Sequence, residues 1–142
     1  MRIFIASIDT NVGKTIVSSI ICEALKADYW KPIQAGNLEE SDSLTVKNLI
    51  SNNTTHIHKE AYKFSTPCSP HKAAKIDNIK IEPDKISIPL TENNLIIEGA
   101  GGIMTPITDN FLFIDLIKKL NTPVILISKN YLGSINHTLL SL

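Results

Sequence analysis

The sequence has few cysteines and no excess of charge of either sign. Two cysteines occur among 142 residues, and Lys plus Arg and Asp plus Glu both number 14. Two widely separated thiols, Cys22 and Cys68, are too few for a disulfide scaffold or a zinc cluster. The balanced charge provides no positive field that would hold a nucleic acid backbone or an anionic membrane. We therefore expect plain thiols and a small-molecule partner, with no nucleic acid and no membrane.

Long apolar runs are also missing. The short run after Arg2 is interrupted by Asp9, before the core of a signal peptide or a membrane span is complete. This pattern favours a cytoplasmic protein. Hydrophobic residues make up 43% of the chain and charged residues 20%, without repeats or Pro/Gly-rich linkers. Such a composition predicts one folded domain over residues 1–142.

A glycine is missing from the stretch SIDTNVGKT, residues 7–15. The common phosphate-loop pattern G-x-x-x-x-G-K-[ST] would place it at position 8, where the chain has Ile8. The rest of the pattern is present, because Gly13 suits a turn, Lys14 suits β- and γ-phosphate oxygens, and Thr15 can face magnesium. A Gly-Lys-Thr tripeptide also begins ordinary helices by chance. On these residues alone, both a phosphate site and a plain turn remain open.

Apolar runs and helical periodicity alternate along the chain. Buried strands are predicted at residues 2–6, 29–33, 95–97 and 123–128, and helices after Thr15, at 42–51 and at 111–120. This alternation predicts an α/β fold whose mostly parallel sheet binds ligands at the carboxyl ends of its strands. Residues 53–93 are expected to form loops and short helices over that face.

Two of the predicted helices carry an apolar stripe that we expect to face the sheet. In the third helix Asp109 is the predicted N-cap. The stripe of the first helix comprises Val17, Ile20, Ile21, Ala24 and Leu25, and that of the third comprises Phe113, Leu116, Ile117 and Leu120.

Three charged residues follow strands or begin helices at this edge. Glu98 directly follows Leu95–Ile97 and precedes glycines, so it can orient a magnesium ion, although a solvated acid is the alternative. Asp42 shares a helix face with Val46, but it can equally support Ser41 as an N-cap. Lys31 precedes Pro32 at a strand end and would supply a second positive charge beside Lys14, unless it is an ordinary surface lysine.

Six motifs in one order resemble the dethiobiotin synthetase family, and they span the chain from residue 3 to its last residues. In that family's loop, which is one residue longer than the common pattern, the first glycine aligns with Ser7, so we expect the turn to survive. The motifs are Asp9–Thr15, Lys31–Gly36, Ser41–Asp42, Ser69–His71, Glu98–Gly102 and Leu132–His137.

The resemblance implies a three-layer fold like that of P-loop NTPases and a reaction on 7,8-diaminopelargonic acid. One amine captures CO2 as a carbamate, the carbamate takes the γ-phosphoryl group of ATP, and the second amine closes a ureido ring and releases phosphate. The family is also implied to be a homodimer that uses ATP and Mg²⁺. Its lysine at the position of Lys31 is assigned as catalytic, together with Lys14.

The remaining site residues are carried over from the resemblance. Thr15, Asp42 and Glu98 would hold the metal. ATP would contact Asn11, Val12, Gly13, Lys14, Thr15, Ile16, Asp42, Glu98, Gly99, Ala100 and Gly101. The diamine would contact Thr10 and Ala35, and a partner subunit would contribute Gly133, Ser134, Ile135 and Asn136 to its carboxylate.

The chain departs from the family at several positions. Ala35 lacks the hydroxyl that is usual there, and Asn11 replaces an acid found in some relatives. The family continues beyond the position of Leu142 with further strands, an adenine-binding motif and a closing helix, so we expect the last strands and the purine pocket to be absent from this sequence.

Two alternatives differ in class from a synthetase. A shortened nucleotide-binding remnant without turnover would expose a sheet edge and an apolar face. A dimeric partitioning-type switch ATPase would carry an extra lysine near the start of its loop. Here the corresponding residue is Asp9, whose charge would repel a phosphate.

Overall fold

Five parallel strands form one sheet in the order β4-β2-β6-β1-β9. The structure is a computed structural model that describes all residues 1–142. The central strand β6 is paired along its length with β1 on one side and β2 on the other. The five strands are β1 (Arg2–Ser7), β2 (Asp28–Trp30), β4 (Ile57–His58), β6 (Leu95–Glu98) and β9 (Val124–Ile127).

Successive side chains of each central strand enter two separate apolar cores, one on each face of the sheet. Phe4 packs in one core and Ile5 in the other, and Tyr29 and Trp30 are divided in the same way. Helices line both cores, which gives the expected three layers. The helices are α1 (Lys14–Leu25), α2 (Asp42–Leu49), α3 (Pro70–Ile76), α4 (Phe113–Leu120) and α5 (Ser134–Leu139).

Cores of different composition occupy the two faces. Cys22 of α1 and Val46 of α2 pack with Ile5 and Tyr29. Ala73 of α3 belongs to the opposite core, whose other members include Phe4, Trp30, Phe113 and Leu116. The sheet with its helices is the α/β fold that the sequence predicts.

Two short sheets lie outside the main one. They pair β3 (Ile33–Ala35) with β5 (Tyr62–Phe64) and β7 (Pro106–Thr108) with β8 (Phe111–Leu112). The region 53–93, expected to hold only loops and short helices, therefore also contains β4 and β5. Its helical parts are α3 and the single 3₁₀ turn Pro83–Lys85, while a second 3₁₀ turn spans Leu38–Glu40.

The predicted inner face of α1 is only partly correct: Ile21 packs against the core, but other members of the stripe do not. Ile20 is 61% exposed and Leu25 39%, whereas Lys14, Ser18 and Cys22 face inward. The loop turns Lys14 into the protein, and residues four and eight positions later share its face. The position of the lysine, and not the apolar pattern, therefore sets the rotation of this helix.

The predicted strand 29–33 is divided in the structure. It ends at Trp30, the pair Lys31–Pro32 interrupts it, and Ile33 begins β3 in a different sheet. Proline lacks the N–H that a continuous ladder needs, so the break falls where Pro32 stands.

The second helix was expected to reach residue 51 and ends at Leu49.

The third predicted helix also begins later than expected. Residues 111–112 form a strand, and α4 begins at Phe113. Asp109 is not its cap, because the Asp109 carboxylate pairs with Lys75 at 2.6 Å. Leu112 occupies the cap position, and its N–H donates to the Asp115 carboxylate at 2.9 Å. The inward positions of the stripe, Phe113 and Leu116, are buried as predicted.

The last strand, β9, is less buried than its apolar sequence predicts. Val124 is 44% exposed and Ile125 37%. The strand pairs only with β1 and lies at the edge of the sheet. An edge strand has a neighbour on one side only, which accounts for the exposure.

Among the helices, none combines the length and the hydropathy that crossing a membrane requires.

Glu23 connects α1 to the segment that follows α2. Its carboxylate accepts hydrogen bonds from the backbone N–H and side chain of Ser51, at 2.9 and 2.8 Å, and from both donors of Asn52, at 3.2 and 2.8 Å. Hydrogen bonds from Ser51, followed by those from Asn52, lower the pKa of Glu23 from 4.5 to about 2.

A depressed carboxyl pKa stabilises the fold above the pKa of the unfolded chain, and the contribution is lost as the pH falls toward 2. We expect Glu23→Gln to lower the urea midpoint at pH 6 and the deficit to shrink between pH 4.5 and pH 2.5. Glu39→Gln, at an exposed position, is the control. A deficit that is constant with pH would contradict this role of Glu23.

Candidate active site

The carboxyl ends of the three central strands bring the predicted site residues together. Ser7 ends β1, Glu98 ends β6, and Lys31 directly follows β2. Parallel strands end at the same edge of a sheet, and α1 and α2 both begin at this edge. The N-termini of these two helices carry the residues Lys14, Thr15 and Asp42.

The phosphate loop has the backbone that its sequence predicts. Gly13 precedes α1 in the left-handed region, with φ of 99°, and Asn11 also has a positive φ of 53°. Glycine adopts this conformation without strain, so Gly13 is required at the turn. Lys14 is only 8% exposed. Its Nζ atom donates to Ser7 Oγ at 2.8 Å and to the carbonyl oxygen of Asp9 at 3.2 Å.

Ser7 shows why the loop tolerates the loss of the family glycine. It is completely buried and is not among the residues with positive φ. Its Oγ atom lies 2.7 Å from the carbonyl oxygen of Asp9 and 3.0 Å from that of Gly101. The hydroxyl is therefore satisfied within the loop, and a serine fits here without backbone strain.

A buried cluster of charges lies beside the loop. The Lys31 ammonium is paired with Asp42 Oδ2 and lies 3.4 Å from Glu98 Oε1. Thr15 Oγ1 lies 2.6 Å from Asp42 Oδ1 and 2.9 Å from Glu98 Oε1. Lys31 is 4% exposed and Glu98 1%. Charges this deeply buried persist only when they are paired, so the readings of Lys31 as a surface lysine and Glu98 as a solvated acid are wrong.

Asp42 and Ser41 have separate roles at the start of α2. Ser41 is the N-cap, since its side chain accepts from the backbone N–H of Leu44 at 3.4 Å. The Asp42 carboxylate instead turns toward Thr15 and Lys31. Burial alone would raise the pKa of Asp42, but the Lys31 ammonium and hydrogen bonds from Lys31 and Thr15 outweigh it and hold that pKa below its usual value. Asp42 is therefore ionised at neutral pH.

Two ammonium groups act on the same small region. Burial, followed by the charge of Lys31, lowers the pKa of Lys14, while the carboxylates of Glu98 and Asp42 oppose this shift. The site thus holds two ammonium groups at the start of α1, beside the phosphate loop. Such an arrangement favours a polyanion.

A cavity of about 820 Å³ opens over the cluster. A volume of this size is in the range of small-molecule sites. It is lined by most of the residues predicted to bind ligands, namely Thr10, Asn11, Gly13, Lys14, Thr15, Ile16, Lys31, Ala35, Asp42, Ala100 and Gly101. Val12, Glu98 and Gly99 do not line it. Glu98 reaches the site through its contacts with Thr15 and Lys31. Gly99 instead lies against the core, where a Cβ on it would be 3.0 Å from the ring of Phe4.

Several lining residues were missed by the sequence analysis. Gln34, Asn37, Pro67, Cys68 and Thr105 also line the cavity. The segment around Pro67 can approach the cavity because residue 36 is a glycine. A Cβ on Gly36 would lie 2.4 Å from Pro67 Cβ, and φ at Gly36 is 72°. This contact links two distant segments, and no local pattern in the sequence indicates it.

The predicted carboxylate-binding segment lies outside this cavity. Gly133 precedes α5 with a positive φ of 100°, and Ile135 is 78% exposed. None of the residues from Gly133 to Asn136 lines the cavity of the same chain. Their contribution was expected in the site of a partner subunit.

The donors at the cluster suit a magnesium ion. Two carboxylates and the Thr15 hydroxyl converge, and the chain contains no group of three His, Cys, Asp or Glu side chains that could hold a metal alone. Mg²⁺ is commonly bound by one or two carboxylates, with phosphate and water completing its ligands. The residues present therefore fit Mg²⁺ that arrives with a nucleotide. In this structure the Lys31 ammonium pairs with the same two carboxylates, those of Asp42 and Glu98.

Comparison with known proteins places the chain in one family. The model of a family described as "AAA domain" matches residues 1–142. Three similar proteins are each named ATP-dependent dethiobiotin synthetase BioD. They come from Christiangramia forsetii, 58% identical over 98% of this chain, from Chlamydia pneumoniae, 54% over 99%, and from Cytophaga hutchinsonii, 50% over 99%.

This chain spans about two thirds of the length of these relatives, with matched shares of 67%, 63% and 68%. The similarity covers 98–99% of this chain. Together with the phosphate loop and the charge cluster, it identifies the chain as a member of the ATP-dependent dethiobiotin synthetase family.

Proposed function

We propose that this chain performs the reaction of its family, in which ATP drives the closure of a ureido ring. The substrates would be 7,8-diaminopelargonic acid, CO2 and ATP, and the products dethiobiotin, ADP and phosphate. The observation that supports this best is the convergence of Lys14, Thr15, Lys31, Asp42 and Glu98 beneath one cavity. Transfer of a phosphoryl group to an anion needs fixed positive charge and a metal site at one point.

ATP would lie over the phosphate loop. The backbone N–H groups from Asn11 to Ile16 open onto the start of α1, where a helix N-terminus favours phosphate. Lys14 would leave the Asp9 carbonyl oxygen for the β- and γ-phosphate oxygens, which are stronger acceptors because they are charged. Ala100 and Gly101 would border the same phosphates.

Mg²⁺ would be held by Thr15, Asp42 and Glu98 together with the nucleotide phosphates. When bound, it neutralises charge on the phosphoryl group that is transferred. The carboxylates that now pair with Lys31 would then face a divalent cation. Lys31 would lie beside the carbamate and the γ-phosphoryl oxygens and offset part of their negative charge.

In the proposed reaction a carbamate anion must approach the negatively charged γ-phosphoryl group of ATP. A substrate amine attacks CO2 and loses a proton, giving a carbamate whose oxygen attacks the γ-phosphorus as ADP departs. The second amine attacks the carbamoyl carbon and expels phosphate, which carries an oxygen that came from CO2. The Lys31 and Lys14 ammonium groups would reduce the repulsion between carbamate and phosphate in the first transfer.

The diamine would occupy the part of the cavity near Thr10 and Ala35. Its carboxylate would meet the segment from Gly133 to Asn136 of a second copy, so a homodimer is part of the proposal. A cytoplasmic location fits a reaction that draws on ATP. The switch ATPase alternative is not favoured, because the relatives share the synthetase name.

The direct test is phosphate release by the protein with ATP, Mg²⁺ and bicarbonate, with and without 7,8-diaminopelargonic acid. The proposal predicts release that depends on the diamine, with dethiobiotin formed in equal amount by mass spectrometry. ADP binding without diamine-dependent release would contradict turnover and favour a nucleotide-binding remnant.

Substitution of the two lysines should separate binding from turnover. We expect Lys14→Ala to abolish ADP binding, because the phosphates lose their main charged partner. Lys31→Ala should retain ADP binding in the presence of Mg²⁺ and lower kcat by at least about 100-fold, since it removes charge needed mainly at the transferring group. Calorimetry and the phosphate assay measure the two effects.

The control for both lysines is Lys75→Ala, which removes an exposed ammonium paired with Asp109. It should change neither ADP binding nor kcat. An equal loss of ADP binding and of kcat in Lys31→Ala would mean that Lys31 belongs to the nucleotide site and not to the transfer.

Position 35 tests the diamine pocket. Ala35→Ser restores a hydroxyl beside the cavity, and one added hydrogen bond is worth about 1 kcal/mol, or roughly fivefold in affinity. We expect KM for the diamine to fall by that factor while KM for ATP is unchanged. Ala61→Ser, at an exposed position, is the matched control. An unchanged KM for the diamine would place residue 35 outside the pocket.

A further inference from the structure

Tyr29 carries a hydroxyl in an otherwise apolar core, and the proposed reaction makes no use of it. The residue is completely buried in the core shared by α1, α2 and the sheet, where Ile5, Cys22, Val46 and Ile96 are its neighbours. Its hydroxyl donates to Glu98 Oε2 at 3.0 Å. Tyr29 is therefore the link between this core and the charge cluster.

The pairing of β2 with β6 brings Tyr29 close to Glu98. Side chains alternate along β2, so Tyr29 and Trp30 enter the cores on opposite faces of the sheet. Tyr29 pairs with Ile96 and Trp30 with Ile97 on the neighbouring β6, which ends at Glu98. Tyr29 in β2 and Lys31, directly after it, therefore both contact the Glu98 carboxylate.

The two oxygens of Glu98 have different partners. Oε2 faces Tyr29, whereas Oε1 lies 2.9 Å from Thr15 Oγ1 and 3.4 Å from Lys31 Nζ. Burial, followed by the charge of Glu98, raises the pKa of Tyr29 well above its usual value. The Tyr29 hydroxyl is therefore the donor in its hydrogen bond with Glu98 Oε2.

We propose that Tyr29 is a positioning residue for the metal site. By holding Oε2 toward the core, its hydroxyl fixes the rotation of the Glu98 carboxylate and leaves Oε1 as the oxygen presented to Thr15, Lys31 and Mg²⁺. Groups that orient a metal-binding carboxylate in this way commonly change metal affinity by 10- to 100-fold when they are removed. The inference rests on the proposed Mg²⁺ site.

The test is Tyr29→Phe, which removes one oxygen and keeps the ring that fills the core. ADP affinity is measured by calorimetry with and without Mg²⁺. We expect ADP to bind equally well to wild type and variant without the metal, and the Mg²⁺-dependent gain in affinity to fall by about 10-fold or more in the variant. Tyr62→Phe, whose hydroxyl contacts only the backbone of Glu82, should retain the full gain.

Two results would overturn the inference in distinguishable ways. A full Mg²⁺-dependent gain in Tyr29→Phe would show that Tyr29 does not orient Glu98, while the metal site itself would stand. Wild-type protein whose ADP affinity does not respond to Mg²⁺ would remove the metal site, and the role of Tyr29 with it.

A second measurement keeps the Tyr29 hydroxyl in place. The chain has three tyrosines, so protein labelled with 3-fluorotyrosine should give three ¹⁹F signals, assigned with Tyr62→Phe and Tyr131→Phe. We expect the Tyr29 signal to shift when Mg²⁺ is added to the ADP complex, because the charge on Glu98 is then shared with the metal. A Tyr29 signal that does not move would contradict the proposal.

Discussion

The buried ion pairs of Lys31 are the interaction on which the rest of the site depends. One ammonium, 4% exposed, meets carboxylates from two different elements, Asp42 at the start of α2 and Glu98 at the end of β6. Removing charges from water costs several kcal/mol each, and that cost is offset only when partners are held in place. The sheet provides this placement, because its parallel strands deliver their carboxyl ends to one edge.

The same constraint explains neighbouring features that local rules do not. The α1 helix packs on the sheet through Ser18 and Cys22, since Thr15 must reach the carboxylates and Lys14 must turn under the loop. Burial raises the pKa of Cys22 to about 12, so this thiol packs as an inert small side chain. The cluster balances two carboxylates, Asp42 and Glu98, with the ammonium groups of Lys31 and Lys14 beside the phosphate loop.

Sequence patterns predicted four of the five strands of the main sheet, the helices α1, α2 and α4 and the three charged residues of the cluster, because each follows from local spacing and from flanking glycine and proline residues. They did not predict the exposed Ile20 and Leu25, since the rotation of α1 is set by Lys14 and not by its apolar residues. The Asp109–Lys75 pair joins residues that are distant in the sequence, so no local pattern indicates it. The role of Tyr29 was missed because an aromatic residue in a strand is typical of a core.

Lys31 stands among carboxylates suited to a divalent cation that arrives with a nucleotide, and thermal unfolding of Lys31→Met with saturating ADP in a magnesium titration tests this most directly. Without metal, the variant leaves two carboxylates unpaired and should be less stable than wild type by about 3 kcal/mol. Rising Mg²⁺ should close this deficit, while Lys75→Met, at a surface ion pair, stays near wild type throughout. A deficit that remains the same at every Mg²⁺ concentration, at constant ionic strength, would contradict the claim.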